Sequence, residues 1–156
     1  VFLTKDNLQD AYPELVSIVG DIINNTTTIN NLLGTLDTVT GTILTTDATP
    51  GSQNIYSISA TDGVVLVNLH CTARRTGGLA GSTGDSAGFI RTGTIKRYSS
   101  GTAIIMSMVQ DEHTHRNQAS WDCDIKVSSN IITIQVQGAV DNNITWKYTA
   151  ILYKTL

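Results

Sequence analysis

The chain has 156 residues, a formal net charge of −3 and only 15% charged residues. This length allows one ordinary domain plus an appendage, and the net negative charge lacks the basic footprint of a nucleic-acid binder. No run of 18 apolar residues and no signal-peptide pattern occurs, so we expect neither a membrane span nor a secretory precursor. Because the first residue is Val1, we expect a fragment whose N-terminal part is absent.

A heptad pattern over the first 46 residues predicts an α-helical coiled-coil stalk. Leu and Ile occur at both the a and the d positions, which favours three or more strands over two. We therefore predict a homotrimer with a stalk over residues 1–46. The predicted seam consists of Leu8, Ala11, Leu15, Ile18, Ile22, Asn25, Ile29, Leu32, Leu36, Val39 and Ile43.

Several residues interrupt this pattern. Asn25 places a polar layer in the seam, where three amides either fix the register or enclose a water or an anion. Pro13 predicts a helix that starts again with proline in its first turn. Poor helix formers predict fraying between Gly34 and Gly41, followed by extended chain. A fibrous β-structured stalk is the alternative.

Residues 47–53 form a linker by composition, and beyond them the apolar period changes from 3.5 to 2. The candidate strands are 55–60, 64–75, 87–98, 102–110, 120–128, 131–137 and 144–154. Seven or eight antiparallel strands at this spacing predict a mainly β knob over residues 54–156, as a β-sandwich or jelly roll. Some strands are apolar on both faces, which indicates packing between subunits.

Few residues indicate chemistry. His113 and His115 are candidate metal ligands, but we expect residues 111–115 to form a loop, and no third ligand is evident. No nucleophile motif has the required strand and helix around it, so we predict no catalytic residue, no enzyme activity and no cofactor. Four residues are candidates for binding a small anion, if subunits bring them together: Asn25, Arg74, Arg75 and Arg91.

The two cysteines, Cys71 and Cys123, are too few for a disulfide framework. Both lie in predicted strands, and we expect reduced, buried, small apolar residues. A pair across the sandwich is the alternative.

Four stretches of the knob resemble the terminal head domains of phage fibres: Gly84-Asp85-Ser86-Ala87-Gly88-Phe89, Ile95-Lys96-Arg97, Ser120-Trp121-Asp122 and Ile144-Thr145-Trp146. Together with the heptad stalk, their size and order resemble the C-terminal half of a tail needle of P22-like short-tailed bacteriophages, in the version that ends in a knob like tumour necrosis factor.

This resemblance implies a structural protein of the virion tail, assembled in the host cytoplasm. It would close the DNA channel and contact or penetrate the host cell envelope during genome ejection. Its partners would be phage tail and portal proteins, through the absent N-terminal part, and the host outer membrane or a surface receptor, with no nucleic-acid contact from this fragment. The alternative is the receptor-binding head of a tail fibre or spike that recognises a cell-surface glycan.

Overall fold

The structure, a computed structural model, describes residues 13–59, 63–97, 101–105 and 109–155, with side chains of the helix described from 17 to 29 and at 35. The chain divides after Thr35 into a helical unit and a β unit, which begins at Leu36. In the described part, no helix is both long enough and apolar enough to cross a bilayer.

Helix α1 spans Pro13–Thr35 and begins at the predicted proline. Proline suits a first turn because its absent N–H would have had no partner there. The helix also contains three consecutive threonines, whose hydroxyls donate to the carbonyl oxygen four residues earlier at 2.8–3.0 Å. This local bonding satisfies Thr26, Thr27 and Thr28 without any partner outside the helix.

Nine strands are described in the β unit. They are β1 (Leu36–Thr45), β2 (Gly51–Ser57), β3 (Val64–Gly77), β4 (Ser86–Lys96), β5 (Ile104–Ile105), β6 (Gln110–Arg116), β7 (Asp122–Ser128), β8 (Ile131–Gln137) and β9 (Asn143–Thr155). The larger sheet has the order β1-β9-β3-β4, and both β5 and β6 pair with β4. The smaller sheet has the order β2-β8-β7.

One hydrophobic core receives side chains from both sheets. Trp121 and Trp146 are fully buried in it, with ring centroids 5.9 Å apart. All strand pairs are antiparallel, so the predicted mainly β, antiparallel fold is confirmed. Strands β3 and β4 form a hairpin within one sheet, and the described strands do not show a jelly-roll order.

The predicted helical seam is wrong beyond residue 35. Leu36, Val39 and Ile43 lie in strand β1, which pairs with β9 from Leu36 opposite Tyr153 to Thr45 opposite Ile144. A continuous ladder and several β-branched threonines favour the strand over a helix. The change to extended chain was expected after fraying between Gly34 and Gly41, but the strand already begins at Leu36 and includes Gly41. Of the other seam positions, Leu8 and Ala11 lie outside the described residues, as do the side chains of Leu15 and Leu32.

Two predictions about the strands also need correction. Residues 111–115, expected to be a loop, belong to β6, which pairs with β4 as an edge strand. The expected strand 102–110 contains the two-residue β5, while its last residue begins β6. In addition, β2 starts at Gly51 and so includes part of the expected linker.

Candidate functional site

The candidate site is the outer face of the larger sheet, which we define as the side of β1, β9, β3 and β4 that points away from the core. Side chains alternate along each strand, so every second residue belongs to this face. Its outer positions on these four strands carry no carboxylate, although the whole chain has a net charge of −3. Threonine is common there, and the charged side chains are basic.

One end of this face is apolar. Leu36, Tyr153 and Leu66 stand directly opposite one another on three adjacent strands, and they expose 41%, 48% and 37% of their surface. Leu36 is also the residue at which the chain enters the β unit. We call these three residues the apolar end; they form a contiguous hydrophobic surface.

The opposite end is basic. Thr72 pairs with Lys147, and Arg74 pairs with Thr145, so Arg74 and Lys147 are diagonal neighbours on β3 and β9. Such neighbours have Cβ atoms roughly 7–8 Å apart, within reach of long side chains. We call Arg74, Lys147 and their surroundings the basic end.

Two shallow depressions meet at Arg74. The first, of about 320 Å³, is lined by Thr72, Ala73, Arg74, Thr76, Thr145 and Lys147. The second, of about 400 Å³, shares Arg74 and Thr76 and continues along Arg75 and Gly77 to Thr83. They lie side by side at the basic end, with threonines in both linings, and we refer to the two depressions together as the channel.

Arg74 and Lys147 also differ from the other basic residues in their contacts. Within the described part of the chain, neither side chain has a hydrogen bond or an ion pair. Arg75, for comparison, donates from Nε to the carbonyl oxygen of Ala80 at 2.7 Å and from Nη2 to that of Gly78 at 2.6 Å. The other described lysines and arginines all have partners: Arg91, Lys96, Arg97, Arg116, Lys126 and Lys154.

Arg91, a predicted anion ligand, is instead engaged inside the β unit. Its side chain is 8% exposed and forms ion pairs with Asp111 and with Asp122, the latter at 3.2 Å. It also donates to Oγ1 of Thr114 at 2.7 Å and lies over the ring of Phe89, 5.2 Å from the centroid. The prediction of an anion site at this residue is therefore corrected: two carboxylates already occupy its guanidinium.

Within the β unit, the structure does not place Arg91 beside Arg74 and Arg75. Asn25 is exposed on α1, in the other unit. Arg91 lies opposite Leu69 on β3, well along the strand from Arg74. Of the three arginines, Arg74 alone combines exposure with no partner among the described residues.

Lys147 is the functional candidate that sequence reasoning did not identify. Its outward position follows from the alternation of Trp146 and Tyr148, which are buried on either side of it. Its position beside Arg74 depends on the register of two strands that are distant in the sequence, which the alternation alone does not give.

Asp85 holds the loop that borders the basic end. Its Oδ2 accepts hydrogen bonds from the backbone N–H of Ser82 at 2.8 Å and from Nε2 of Gln118 at 2.7 Å. These two bonds and, to a smaller extent, the charge of Arg75 lower the pKa of Asp85. The carboxylate is thereby engaged in its own loop.

The candidate metal ligands lie on β6. His113 and His115 stand opposite Ile90 and Gly88 of β4, with exposed side chains. Among the described residues, no group of three His, Cys, Asp or Glu has an arrangement that could hold a metal ion. The structure therefore adds no third ligand to the histidine pair.

Cys71 and Cys123 are both buried, and they do not form a disulfide with each other. They lie on β3 and β7, in different sheets, and both face the core; interaction with Cys71 acts on the Cys123 thiol. This interaction and burial raise the pKa of the Cys123 thiol above its usual range. The arrangement agrees with the prediction of reduced, buried cysteines.

A polar depression of about 320 Å³ lies on the smaller sheet, where Asp122, Asp124, Lys126 and Gln135 contribute to its lining. Lys126 is paired with Asp124 there. Arg116 also lines it and pairs with Asp122, so both cations of this depression already have carboxylate partners, in contrast to the basic end.

No protein-family model and no curated protein sequence matches the chain. Solved structures with a partial likeness include the tailspike protein of Acinetobacter phage vB_ApiP_P1, with 15% identity and a TM-score of 0.44 over 74% of this chain and 22% of that chain. The tailspike protein of Acinetobacter baumannii phage AM24 has 10% identity and a TM-score of 0.43 over 78% of this chain and 26% of that chain.

A third similar structure is the tailspike protein of Acinetobacter baumannii bacteriophage Fri1, a capsular polysaccharide depolymerase. It has 9% identity and a TM-score of 0.37 over 77% of this chain and 19% of that chain. The chain thus spans about a quarter or less of the length of these tailspikes.

Proposed function

We propose that this chain is the distal part of a homotrimeric structural protein of a bacteriophage tail. Helix α1 serves as the stalk, and the β unit serves as a knob that contacts the host cell envelope. The observation that carries this proposal is the exposed apolar surface of α1.

Helix α1 exposes apolar residues among its described side chains. Ile18, Ile22 and Ile29, three positions of the predicted seam, are 55%, 58% and 56% exposed. Val19, beside the seam, is 48% exposed. Because each isoleucine is already partly covered, burying the three seam residues against other copies would stabilise the assembly by about 2–5 kcal/mol per chain.

The apolar end of the β unit supports the same assembly. Its three exposed residues begin at Leu36, which follows the helix directly in sequence. Contact between copies at this end would bury the same three residues of each copy. Apolar residues are what such a symmetric contact requires.

Within this proposal, the specific role is that of a tail needle of the P22-like type, which its stalk and knob resemble in order and size. A needle closes the DNA channel of the virion and meets the cell envelope during genome ejection. In that role the protein contacts tail and portal proteins in the virion, and the knob faces the host.

The oligomeric state tests the structural part of the proposal. Multi-angle light scattering should give three times the chain mass of 16.7 kDa. The variant Ile22→Asp, which places a carboxylate in the seam, should reduce that mass, whereas Asn24→Asp, on the same helix outside the seam, should preserve it. A monomeric wild-type chain would exclude the trimer.

Immunogold labelling of the parent virion tests the location. Antibodies raised against the β unit should mark the tail tip, and virions that lack the protein should release their DNA prematurely. Label on the capsid, or stable retention of DNA without the protein, would exclude the needle role.

A second candidate function is the receptor-binding head of a tail fibre or spike that recognises a cell-surface glycan. The basic end favours it, because a hydroxyl-lined channel with two unpartnered cations is exposed there. The needle requires no such site.

A further inference from the structure

We propose that the basic end of the outer face binds an anionic polysaccharide, with Arg74 and Lys147 as the residues that contact its acidic groups. This inference rests on the second candidate function and gives it a site and a ligand class. The site is the channel formed by the two depressions that meet at Arg74.

The first argument concerns charge. Arg74 and Lys147 are neighbours, and they are the two described basic side chains that have no described partner. No outer position on β1, β9, β3 or β4 offers a carboxylate that could neutralise them. An exposed pair of unneutralised cations attracts anionic ligands and repels cationic ones.

The second argument concerns shape. The two depressions share Arg74 and Thr76 in their linings, and each has room for about one sugar ring or more at 320 and 400 Å³. The ligand that fits is therefore a chain that crosses Arg74 rather than one small ion. A chain with an acidic group on successive residues could engage both cations at once, which strengthens binding without any new contact type.

The third argument concerns the side chains that accompany the cations. Thr72, Thr76 and Thr145 supply hydroxyl groups, which can both donate to and accept from the hydroxyls of a sugar. Among the described residues, no aromatic side chain lines either depression, and Trp121 and Trp146 are fully buried. Binding here must depend on charge and hydrogen bonds, which favours an acidic polymer over a neutral one.

The test uses the full chain and immobilised polygalacturonate, a polymer of uronic acid, with dextran as the neutral polymer. The key variant is Lys147→Gln, and the matched control is Lys126→Gln, because Lys126 is also an exposed strand lysine but lies on the smaller sheet beside Asp124. Binding is measured by biolayer interferometry at low and at moderate salt. Lys147→Arg, which keeps the charge, controls for a change in folding.

We expect Lys147→Gln to weaken binding by at least about 5-fold, the effect of losing one charge-assisted hydrogen bond at an exposed site. Adding Arg74→Gln should extend the loss to about 20-fold or more. Lys126→Gln and Lys147→Arg should remain within about 2-fold of the wild type, and added salt should weaken binding.

The inference would be overturned by wild-type protein that does not bind polygalacturonate, by equal binding to dextran, or by an equal loss in Lys126→Gln. Tighter binding to phosphatidylglycerol vesicles with the same sensitivity at Lys147 would assign the site to a lipid surface instead. Equal affinity for duplex DNA would identify a general polyanion surface, which also overturns the assignment.

Light scattering on the same samples separates this inference from the proposed trimer. A trimer that does not bind the polymer overturns the polysaccharide site and leaves the trimer intact. Binding of the polymer by a monomeric chain overturns the trimer and leaves the polysaccharide site intact.

Discussion

Replacing Arg91 by alanine should destabilise the β unit, because this arginine joins β4, β6 and the start of β7. Its guanidinium is 8% exposed and pairs with Asp111 and Asp122, which are 54% and 51% exposed at their side chains. Breaking a fully buried pair costs about 3–5 kcal/mol. Here the two carboxylates can regain water, so we expect a loss of about 2–3 kcal/mol in the free energy of unfolding.

Arg91→Met separates packing from charge. Methionine retains most of the volume over Phe89, where the arginine now lies 5.2 Å from the ring centroid. Its cost should therefore be smaller, at about 1 kcal/mol, because burying an apolar chain there can offset the lost ion pairs. Arg74→Ala is the control, since an exposed residue with no described partner should change stability by no more than about 0.5 kcal/mol.

The assay is urea unfolding followed by tryptophan fluorescence, because Trp121 and Trp146 are fully buried and report on the core. All variants must be compared at one chain concentration, since association contributes to the stability of an oligomer. If Arg91→Ala changed the free energy of unfolding no more than Arg74→Ala does, the structural role of Arg91 would be refuted.

The remaining predictions concern four other sites. Gly41→Ala should destabilise by about 1–3 kcal/mol in urea unfolding, because an added Cβ would overlap the ring of Tyr148; an unchanged midpoint would contradict this. Asn25→Ile should raise the free energy of unfolding by about 1 kcal/mol or more per chain, and with it the melting temperature, if the amide layer is a net cost. A loss of stability would indicate a ligand in that layer. The Cys123 thiol, whose pKa is raised by its interaction with the other cysteine and by burial, should react with a thiol reagent at pH 8 only on unfolding; rapid native reaction would refute this. Because the pKa of Asp85 is lowered in the folded chain, this carboxylate stabilises the fold at pH values above its pKa in the unfolded chain. The contribution is lost as the pH falls through the pKa of the folded chain. Asp85→Asn should therefore flatten the acid side of a plot of melting temperature against pH. An identical profile would contradict that linkage.

Sequence patterns predicted those elements whose local and tertiary preferences agree. Strand β8 was predicted with its observed bounds, Ile131–Gln137. Its start is set by a tight turn in which Ser129 and Asn130 have φ angles of 48° and 65°, the conformation that two-residue hairpins favour. Buried and more exposed residues then alternate along the strands on both sides of the turn.

Strand β1 shows why other elements could not be predicted. Leu36, Val39 and Ile43 satisfy a heptad, yet the same segment alternates in exposure with a period of two. Both patterns are present in the sequence, and the choice between them depends on β9, a strand distant along the chain. Strand β6 has the opposite difficulty: its polar residues show no apolar alternation, and its pairing with β4 involves the bond between Arg91 and Asp111.

The same limits apply to the candidate site. The sequence identified Arg74 as a basic residue of the knob, but it gave equal weight to Arg91. Burial and partners distinguish the two, and both are tertiary properties. Lys147 joined the site only because β3 and β9 are adjacent, in a register that no local pattern specifies.

The position of β9 in the larger sheet has a consequence for synthesis on the ribosome. Strand β9 lies between β1 and β3, so neither can complete its ladder until β9 has left the exit tunnel. Helix α1, made first, needs no such distant partner for its backbone and can meet other nascent copies earlier. Neighbouring chains would then have incomplete sheets close to one another. The misfolding expected there is domain swapping, in which β9 of one chain pairs with β1 and β3 of another. Prompt release of each completed chain would limit that exchange.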